Sequence, residues 1–375
     1  FDLNSSRQET TMITQGDDYP IHQTPEPVQQ VFTSDRNFYD RFFFNGYFRE
    51  GEPYFAAAMG IYPNVGIIDC AFSVIAGGVQ HSVRASRVLG AERMDTRVGP
   101  ISIEIVRPMR SMRLRVDHET IKADLMFEAR AAAIEEPRFS RRAGPRLVMD
   151  LTRFTQHGGY SGSLTVAGKT YEAKPSRVWG SRDRSWGVRG IGPQDPAGVP
   201  GAAAMAQFYW LWSPTNFEDV CTHCDCNENA DGSRWHQFGA VTRTEVGAPL
   251  DLATGVDFNI NYASGTRHAK NAEIILRSPR AGESRIALKP LYNFYMQGIG
   301  YFHPKWGHGM YVGPDASTYE SFKIADVNER DLMHQHIQAV CQAKMGSREG
   351  MGILEMAILG PHDKSGFKEF LDVHP

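Results

Sequence analysis

The sequence predicts an all-β protein built from two antiparallel sandwich or barrel domains, with few short helices. Short runs rich in Val, Ile, Phe and Thr recur along the chain, and Gly, Pro or Asn interrupts them. These residue types favour strands, and the close spacing leaves little room for long amphipathic helices. With 375 residues the chain is long enough for two domains that each bury a core.

Composition narrows the functional classes. The 40 basic and 43 acidic residues give a net charge of -3 without a basic block, so nucleic acid is not an expected partner. No apolar run is long enough for stable membrane insertion, and the N-terminus lacks the order of a secretory signal. We therefore expect a cytoplasmic protein. Because residue 1 is Phe1 and not Met, we expect an upstream segment to have been removed or left out.

The N-terminal half begins with a polar arm. Residues 1–35 contain three prolines and predict an arm that is laid over the surface or partly disordered. The aromatic run 37–48 predicts the first strand of an N-terminal β-domain spanning 36–175. Further strands are predicted at 54–62, 66–76, 80–87, 98–106, 112–117, 122–132 and 162–166.

Two polar clusters interrupt this pattern. Residues 135–138 read Glu-Glu-Pro-Arg, and residues 149–156 alternate so that every second side chain is on one face. That face is either the solvated side of a sheet or the wet interior of a wide barrel. Its members are Asp150, Thr152, Phe154 and Gln156.

The C-terminal β-domain is predicted to span 176–375. A linker at 173–176 precedes the mixed stretch 179–189, and the Gly- and Pro-rich segment 192–201 predicts a loop that serves as a lid or rim. Residues 331–344 form the lone helical candidate, although a strand fits 336–341 equally well. Strands are predicted at 208–212, 235–242, 258–262, 273–277, 285–291 and 350–361.

The stretch 179–189 holds the main candidate for chemistry. If it is extended, Ser181, Asp183 and Ser185 share one face, while Arg182 and Arg184 point the other way. A carboxylate set apart in an apolar cavity is a candidate general acid or base. The alternative is that Asp183 only secures a bulged strand by pairing with an arginine.

Metal and cofactor sites are not expected. Three of the five cysteines crowd into residues 221–226, but on a strand Cys221 and His223 face away from Cys224 and Cys226. We therefore interpret these cysteines as small residues of a strand. The sequence also lacks a Gly-rich phosphate loop, a Gly-x-Ser-x-Gly elbow and His-Glu-x-x-His, which disfavours nucleotide-dependent, serine-hydrolase and zincin chemistry.

Several motifs together resemble a known group of proteins. They are the aromatic run, Glu-Glu-Pro-Arg, Asp-Leu-Thr-Arg, Ser-Arg-Asp-Arg-Ser-Trp-Gly and the closing Gly-Ile-Leu-Glu. They are similar to an uncharacterised bacterial two-part family related to attachment-protein-like proteins, kievitone hydratase and carotenoid 1,2-hydratases. The resemblance covers about residues 37–375 and implies two lipocalin-like domains packed side by side.

The resemblance also implies a reaction. In carotenoid 1,2-hydratases a Tyr-x-Asp segment is implicated in protonating an isoprenoid double bond, and the matching segment here is Ser181-Arg182-Asp183. The carboxylate therefore carries over and the tyrosine does not. Such an acid must be held neutral by burial, because a touching arginine would cancel the effect.

We hypothesise a cofactor-independent hydratase, dehydratase or cyclase acting on an alkene or tertiary alcohol of a hydrophobic, isoprenoid-like molecule. Asp183 would be the proton donor, and rings would stabilise a cation. Water-holding or further acid-base candidates are Glu355, His223, His303, His308 and Gln156. Candidate substrate-binding rings are Phe43, Tyr47, Tyr209, Trp210, Trp212, Tyr295, Tyr301 and Trp306.

Two alternatives stay open. The protein is a non-catalytic carrier or sensor of a hydrophobic small molecule if Asp183 is paired with arginine in an apolar cavity. Alternatively, it is a structural pair of barrels whose aromatic strands bind a partner, such as a second copy in a homodimer.

Overall fold

The computed structural model describes residues 13–193 and 207–375. Within these ranges all regular structure is β-strand or short 3-10 helix, which confirms the predicted all-β class. The strands form two curled antiparallel sheets, each shaped like half a barrel. No helix in these ranges is long and apolar enough to cross a membrane.

The strands are numbered in chain order over the described ranges. They are β1 Phe38–Phe48, β2 Tyr54–Tyr62, β3 Ile67–Ala76, β4 Val79–Val88, β5 Arg97–Val98, β6 Ile101–Arg107, β7 Ser111–Asp117, β8 Ile121–Ala129, β9 Ile134–Glu135, β10 Phe139–Ala143, β11 Arg146–Val166, β12 Lys169–Ala173, β13 Val178–Arg189, β14 Phe208–Asn216, β15 Val220–Glu228, β16 Arg234–Arg243, β17 Asp251–Leu252, β18 Gly255–Tyr262, β19 Ala269–Ser278, β20 Gly282–Tyr295, β21 Asp315–Lys323, β22 His336–Met345 and β23 Arg348–Leu359. The 3-10 helices are Gln15–Asp18, Pro63–Val65, Met296–Ile299, Ile324–Asp326, Leu332–His334 and Asp363–Ser365.

The first sheet follows the order β21-β4-β3-β2-β1-β13-β11-β8-β7-β6-β5, and β9, β10 and β12 also pair with β11. Two of its strands come from beyond residue 175. The central strand β13 lies between β1 and β11, and β21 forms the edge beside β4. The predicted domain boundary at 175/176 stays a prediction, but the first sheet itself draws on both sides of it.

The second sheet follows the order β17-β16-β15-β14-β23-β22-β20-β19-β18. The two sheets enclose three apolar cores. One core lies inside each curled sheet, and the third is shared, with Phe43 and Trp179 from the first sheet packing in the same cluster as Trp212 and Ile353 from the second. This shared core joins the two half-barrels.

Alternation along β1 connects two of these cores. Phe42 and Phe44 belong to the core inside the first sheet, whereas Phe43 and Tyr47 belong to the shared core. Successive side chains of a strand point to opposite faces, so one strand supplies both. The centre of the first sheet is therefore buried on both sides, which explains the dense aromatic run.

Strands β1 and β13 approach each other closely at Gly180. A Cβ atom at this residue would lie 2.0 Å from the carbonyl oxygen of Asn45. Only glycine fits there without a shift of the backbone. The glycine in the mixed stretch thus permits tight pairing next to the candidate acid.

The helical alternative for 331–344 is wrong. Residues Leu332–His334 form a single 3-10 turn, and His336–Met345 is strand β22. Hydrogen bonding to β20 on one side and β23 on the other places β22 inside the second sheet. Where the local apolar pattern fits both a helix and a strand, pairing with neighbouring strands decides the conformation.

The cysteine-rich stretch is strand β15, as interpreted from the sequence. Cys224 and Cys226 pack in the core inside the second sheet, while Cys221 and His223 face the other way. Every cysteine is a buried free thiol. The three neighbouring thiols therefore do not converge on one point.

Candidate active site

The candidate acid lies on the central strand of the first sheet. Asp183 is paired with Phe43 of β1 and Thr155 of β11, and its side chain lines a cavity between the two sheets, which we call the junction cavity. The neighbouring arginines point to the opposite face. Arg182 donates from Nε to Gln156 at 2.9 Å, and Arg184 lies 2.8 Å from a carboxylate oxygen of Asp40.

The cavity is small and mostly polar, with a volume of about 30 Å³. This space holds about one or two water molecules. Both sheets contribute to its walls. The lining residues are Arg41, Phe43, Arg153, Asp183, Ser185, Arg189, Trp212, Met296, Tyr301 and Glu355.

Burial raises the pKa of Asp183 to about 6, although the charges of Arg153 and Arg41 oppose the shift. Desolvation penalises the charged carboxylate, and a direct guanidinium contact would reverse the effect. Among the residues that the structure describes, no basic nitrogen lies within the 4.0 Å of an ion pair with Asp183. The condition that its arginine neighbours point elsewhere is met.

The pKa of the second carboxylate of the cavity, Glu355 on β23, is shifted in the opposite direction. His336 Nε2 lies 2.7 Å from Oε1, Trp210 Nε1 donates to the same oxygen at 3.2 Å, and Gln338 donates to Oε2 at 2.5 Å. Burial alone would raise the pKa of Glu355. The bonds and charge from His336 and Gln338 outweigh burial, so the pKa is lowered.

One cavity therefore contains two carboxyl groups, one from each sheet, whose pKa values have moved apart. A neutral carboxylic acid can give a proton, and an ionised carboxylate can accept one or hold a water molecule. This is the arrangement that acid-base catalysis at a single substrate requires.

A third buried carboxylate lies next to the cavity. Arg153 donates from Nε to Glu136 at 2.6 Å, Thr155 donates to it at 2.7 Å, and His223 Nε2 lies 3.1 Å away. Burial would raise the pKa of Glu136, but Arg153 and His223 lower it well below its ordinary value. Asp225 completes this cluster, 3.4 Å from His223 and 3.5 Å from Arg153.

Glu136, His223 and Asp225 present one ligand atom each within 4.8 Å of one another, which is close enough to hold a metal ion. The guanidinium of Arg153, however, contacts both carboxylates. Burial opposes protonation of His223, yet bonds to Asp225 and Glu136 raise its pKa. The positive charge of Arg153 already lies against both carboxylates, so these residues fit a closed ion-pair cluster better than a metal site.

The aromatic wall of the cavity is organised by cation-π contacts and ring packing. The guanidinium of Arg153 lies 4.7 Å from the ring centroid of Trp210, and that of Arg41 lies 4.9 Å from Tyr301. Tyr301 also packs edge-on against His336 at 4.2 Å. These contacts hold the polar groups in fixed positions around the cavity.

The structure brings only part of the predicted site together. Asp183, Glu355, Phe43, Trp212 and Tyr301 line the cavity, and Trp210 reaches it by its bond to Glu355. His223 belongs to the Glu136 cluster instead. The other predicted residues lie elsewhere, namely His303, His308, Tyr47, Tyr209, Tyr295, Trp306 and Gln156.

These other residues have identifiable partners. Tyr47 donates to Met351 O at 3.1 Å in the shared core. His303 Nε2 lies 3.2 Å from Glu320. Gln156 accepts the bond from Arg182 on the opposite face of the sheet. Tyr209 and Tyr295 pack inside the second sheet, and Trp306 and His308 line a separate cavity of about 10 Å³.

The motifs of the sequence did not point to Arg41, Arg153, Arg189, Glu136 or His336 as site residues. Glu136 and Arg153 stand in the Glu-Glu-Pro-Arg and Asp-Leu-Thr-Arg clusters, and alternation through Gln156 places Arg153 on the Asp183 side. The sequence pattern could therefore have assigned Glu136 and Arg153 to the site. His336 was hidden by the ambiguity between helix and strand.

A much larger cavity, which we call the mouth cavity, opens on the other face of β1 and β13. Its volume is about 1240 Å³, and Phe38, Phe42, Leu151 and Trp186 contribute to its walls. Arm residues between 15 and 32 lie against it. Asp150 and Thr152 also line it, so the polar face of β11 there belongs to the interior of a wide half-barrel.

The predicted lid or rim at 192–201 falls largely outside the described residues. The structure describes Gly192 and Pro193 of that segment, and Gly192 N donates to His308 O at 2.7 Å. The N-terminal arm is described from residue 13 onward.

Comparison with solved structures finds several similar chains. A protein provisionally named AttH from Nitrosomonas europaea has a TM-score of 0.52 at 14% identity, covering 88% of this chain and 96% of its own. CghA in complex with Sch210972 has a TM-score of 0.50 at 10% identity, covering 87% and 89%. Kievitone hydratase from Nectria haematococca has a TM-score of 0.45 at 13% identity, covering 85% and 89%.

At such identities the likeness concerns the fold alone. No curated protein matches the sequence of this chain. Residues 13–368 match the pattern of a family of unknown function, DUF8625, over nearly the whole chain. The protein therefore belongs to the DUF8625 family.

Proposed function

We propose that the protein is a cofactor-independent acid-base catalyst, namely a hydratase, dehydratase or cyclase that acts on a hydrophobic alkene or alcohol. The observation that carries this proposal is the pair formed by Asp183 and Glu355. The two carboxyl groups line one cavity, and their pKa values are shifted in opposite directions.

In the hydration direction, Glu355 takes a proton from a water molecule while the water oxygen bonds to one alkene carbon. Asp183 gives its proton to the other carbon, so one water molecule is added in total. Dehydration runs the same steps in reverse. The cavity volume of about 30 Å³ suits the water, and the alkene must enter by displacing side chains of the lining.

The positive charges of the cavity lining limit which substrates suit the site. Arg41, Arg153 and Arg189 bring three guanidinium groups to the cavity. They repel a full carbocation and stabilise negative charge that develops on a substrate oxygen. An alkene conjugated to a carbonyl group therefore suits the site better than an isolated isoprenoid alkene.

Fold likeness supports a small organic ligand. The structure of CghA contains Sch210972, so a protein with a similar chain path accommodates such a molecule. Carrying this over to the present chain is part of the proposal. The opposed carboxyl groups, and not the likeness, point to catalysis.

The test is the addition of ¹⁸O-labelled water to a panel of α,β-unsaturated ketones, with isolated isoprenoid alkenes for comparison, followed by mass spectrometry. We expect label in the product and a rate that falls as pH rises through about 6, where Asp183 loses its proton. The rate also falls in acid, once Glu355 is protonated.

Asp183→Asn should lower the rate at least a hundredfold, in line with the contribution of a positioned general acid. The matched control is Asp150→Asn on β11, whose carboxylate pairs with Arg138 on the other face at 2.6 Å and should leave the rate unchanged. Full activity of Asp183→Asn would eliminate the proposed role.

A second candidate function is that of a non-catalytic carrier. The polar junction cavity does not favour it, but the mouth cavity does, because a volume of about 1240 Å³ is ample for a small hydrophobic molecule. A carrier would bind such a molecule and leave it unchanged.

A further inference from the structure

The mouth cavity has the features of a ligand site that is separate from the acid-base pair. On β1, Phe42 lines the mouth cavity while the next residue, Phe43, lines the junction cavity. On β13, Arg184 and Trp186 line the mouth cavity while Asp183 and Ser185 line the other. Since neighbouring residues of a strand face opposite sides, the sheet itself separates the two spaces.

Apolar side chains form part of the inner wall of this cavity. Phe38 and Phe42 of β1 and Ile61 of β2 are buried there. Trp186 lines the same space and is 40% exposed, and arm residue Phe32 is 67% exposed. Large exposed apolar rings around a concavity mark a site for an apolar ligand.

The inner wall of the mouth cavity also carries an excess of positive charge. Asp40 lies between two arginines, with Arg184 at 2.8 Å from one carboxylate oxygen and Arg93 at 3.5 Å from the other. The exposed fractions of the side chains are 20%, 21% and 17% for Asp40, Arg184 and Arg93. Two guanidinium groups therefore share one carboxylate in a place with little solvent.

Other charges of the lining do not offset this excess. Arg138 and Asp150 form a balanced bidentate pair at 2.6 and 2.7 Å. The remaining charged residues lie at the solvated rim, where salt and water screen them. They are Glu26, Asp95, Arg97, Glu104 and Arg115. In addition, Arg93 Nε is buried without a hydrogen-bond partner among the residues that the structure describes.

We propose that the mouth cavity binds an amphipathic carboxylic acid with a long apolar chain. The carboxylate meets Arg93 and Arg184, where it supplies the missing negative charge through charge-assisted hydrogen bonds. The chain packs against Phe42 and Trp186 beneath the arm. The proposal deepens the carrier function and does not depend on catalysis at the junction cavity.

The experiment compares decanoate with decanol, two probes of equal chain length that differ in charge. The full chain is titrated with each by isothermal titration calorimetry and by tryptophan fluorescence. We expect decanoate to bind at least about tenfold more tightly than decanol, because a hydrogen bond to a charged group outweighs a neutral one. Trp186→Phe should remove most of the fluorescence change and leave the calorimetric binding.

Variants assign the preference to the two arginines. Arg93→Gln should abolish the tenfold difference between the affinities for decanoate and decanol. If this variant does not fold, Arg184→Gln should have the same effect on the two affinities. Arg348→Gln is the matched control, since this arginine is paired with Asp219 at 2.8 Å on the second sheet and lies outside the cavity. It should leave both affinities unchanged.

Equal binding of decanoate and decanol, or a preference that survives both arginine variants, would overturn the proposal. Absence of decanoate binding would overturn it as well. Asp183→Asn should bind decanoate like the natural protein, so failure of the acid-base proposal and failure of this proposal give different results.

Discussion

At the scale of single residues, the environment of Asp183 depends on alternation along β13. Both neighbouring arginines point to the opposite face, where Arg184 lines the mouth cavity and Arg182 bonds to Gln156. Only more distant guanidinium groups act on the charge of Asp183. Burial is therefore the largest influence on the pKa of Asp183. A buried acid of this kind costs stability whenever it is ionised, which links the proposed chemistry to folding.

The first prediction concerns the pH dependence of stability. Folding raises the pKa of Asp183 from 3.8 to about 6, so the folded state is favoured while the group is protonated and loses stability as pH rises through that interval. We expect Asp183→Asn to be more stable than the natural protein by about 3 kcal/mol at pH 8. The gain should vanish near pH 4, as measured by urea unfolding at several pH values.

Asp150→Asn serves as the control for that series, because it makes the same change in a carboxylate paired with Arg138 and should bring no gain at pH 8. A loss of stability for Asp183→Asn at pH 8 would show that the native carboxylate is ionised and favourably bound there.

The second prediction uses two adjacent glutamates. Glu136 is 2% exposed and bound by Arg153, Thr155 and His223, whereas Glu135 is exposed. Removing one partner of a buried ion pair leaves the other charge uncompensated. Glu136→Gln should lower the free energy of unfolding by about 3 kcal/mol. Glu135→Gln should change it by less than about 0.5 kcal/mol.

Chemical denaturation of both glutamine variants under identical conditions is the measurement. Equal stabilities would mean that the Glu136 cluster contributes nothing beyond its polar contacts.

At the scale of secondary-structure elements, most strands were predictable because each fits a pleated surface with one or two buried faces. The run 37–48 predicted a first strand, and the structure has Phe38–Phe48. The pattern of segment 336–341 fitted both a helix and a strand. Only pairing with its neighbours in the second sheet makes it a strand. Local patterns cannot supply such long-range pairing, which also hid the contact between His336 and Glu355.

The third prediction tests the close approach of β1 and β13. In Gly180→Ala the new Cβ would lie 2.0 Å from a backbone oxygen, and backbone cannot move aside cheaply. We expect a loss of about 2 kcal/mol or more in the free energy of unfolding. Gly190→Ala, where a Cβ would meet nothing within 4 Å, should stay within about 0.5 kcal/mol of the natural protein. Similar losses in both variants would contradict the close approach.

At the scale of the whole molecule, the strand pattern of the sequence predicted two β-rich units but not how they join. Alternation placed Asp183 correctly relative to Arg182 and Arg184, yet could not show which strand of the other sheet faces it. The sequence named Glu355 as one of several candidates for holding water or for acid-base chemistry, without a reason to pair it with Asp183. Its position opposite Asp183 depends on the packing of two sheets, which no local pattern encodes.

The fourth prediction follows from the shared core. Ile353 of the second sheet is fully buried in the same cluster as Phe43 of the first. We expect a single unfolding transition in scanning calorimetry, with equal calorimetric and van't Hoff enthalpies. Ile353→Ala should lower stability by about 2 to 5 kcal/mol without splitting the transition. Two resolved transitions would show that the half-barrels are stable separately.

The path of the chain through the first sheet has a consequence for protein engineering. Strands β13 and β21 both follow residue 175, yet they complete the first sheet at its centre and at its edge. A chimera of two homologues fused at that linker would receive the middle of one sheet from the second parent. Recombination within this family should therefore succeed only where crossover points keep those strands with their original neighbours.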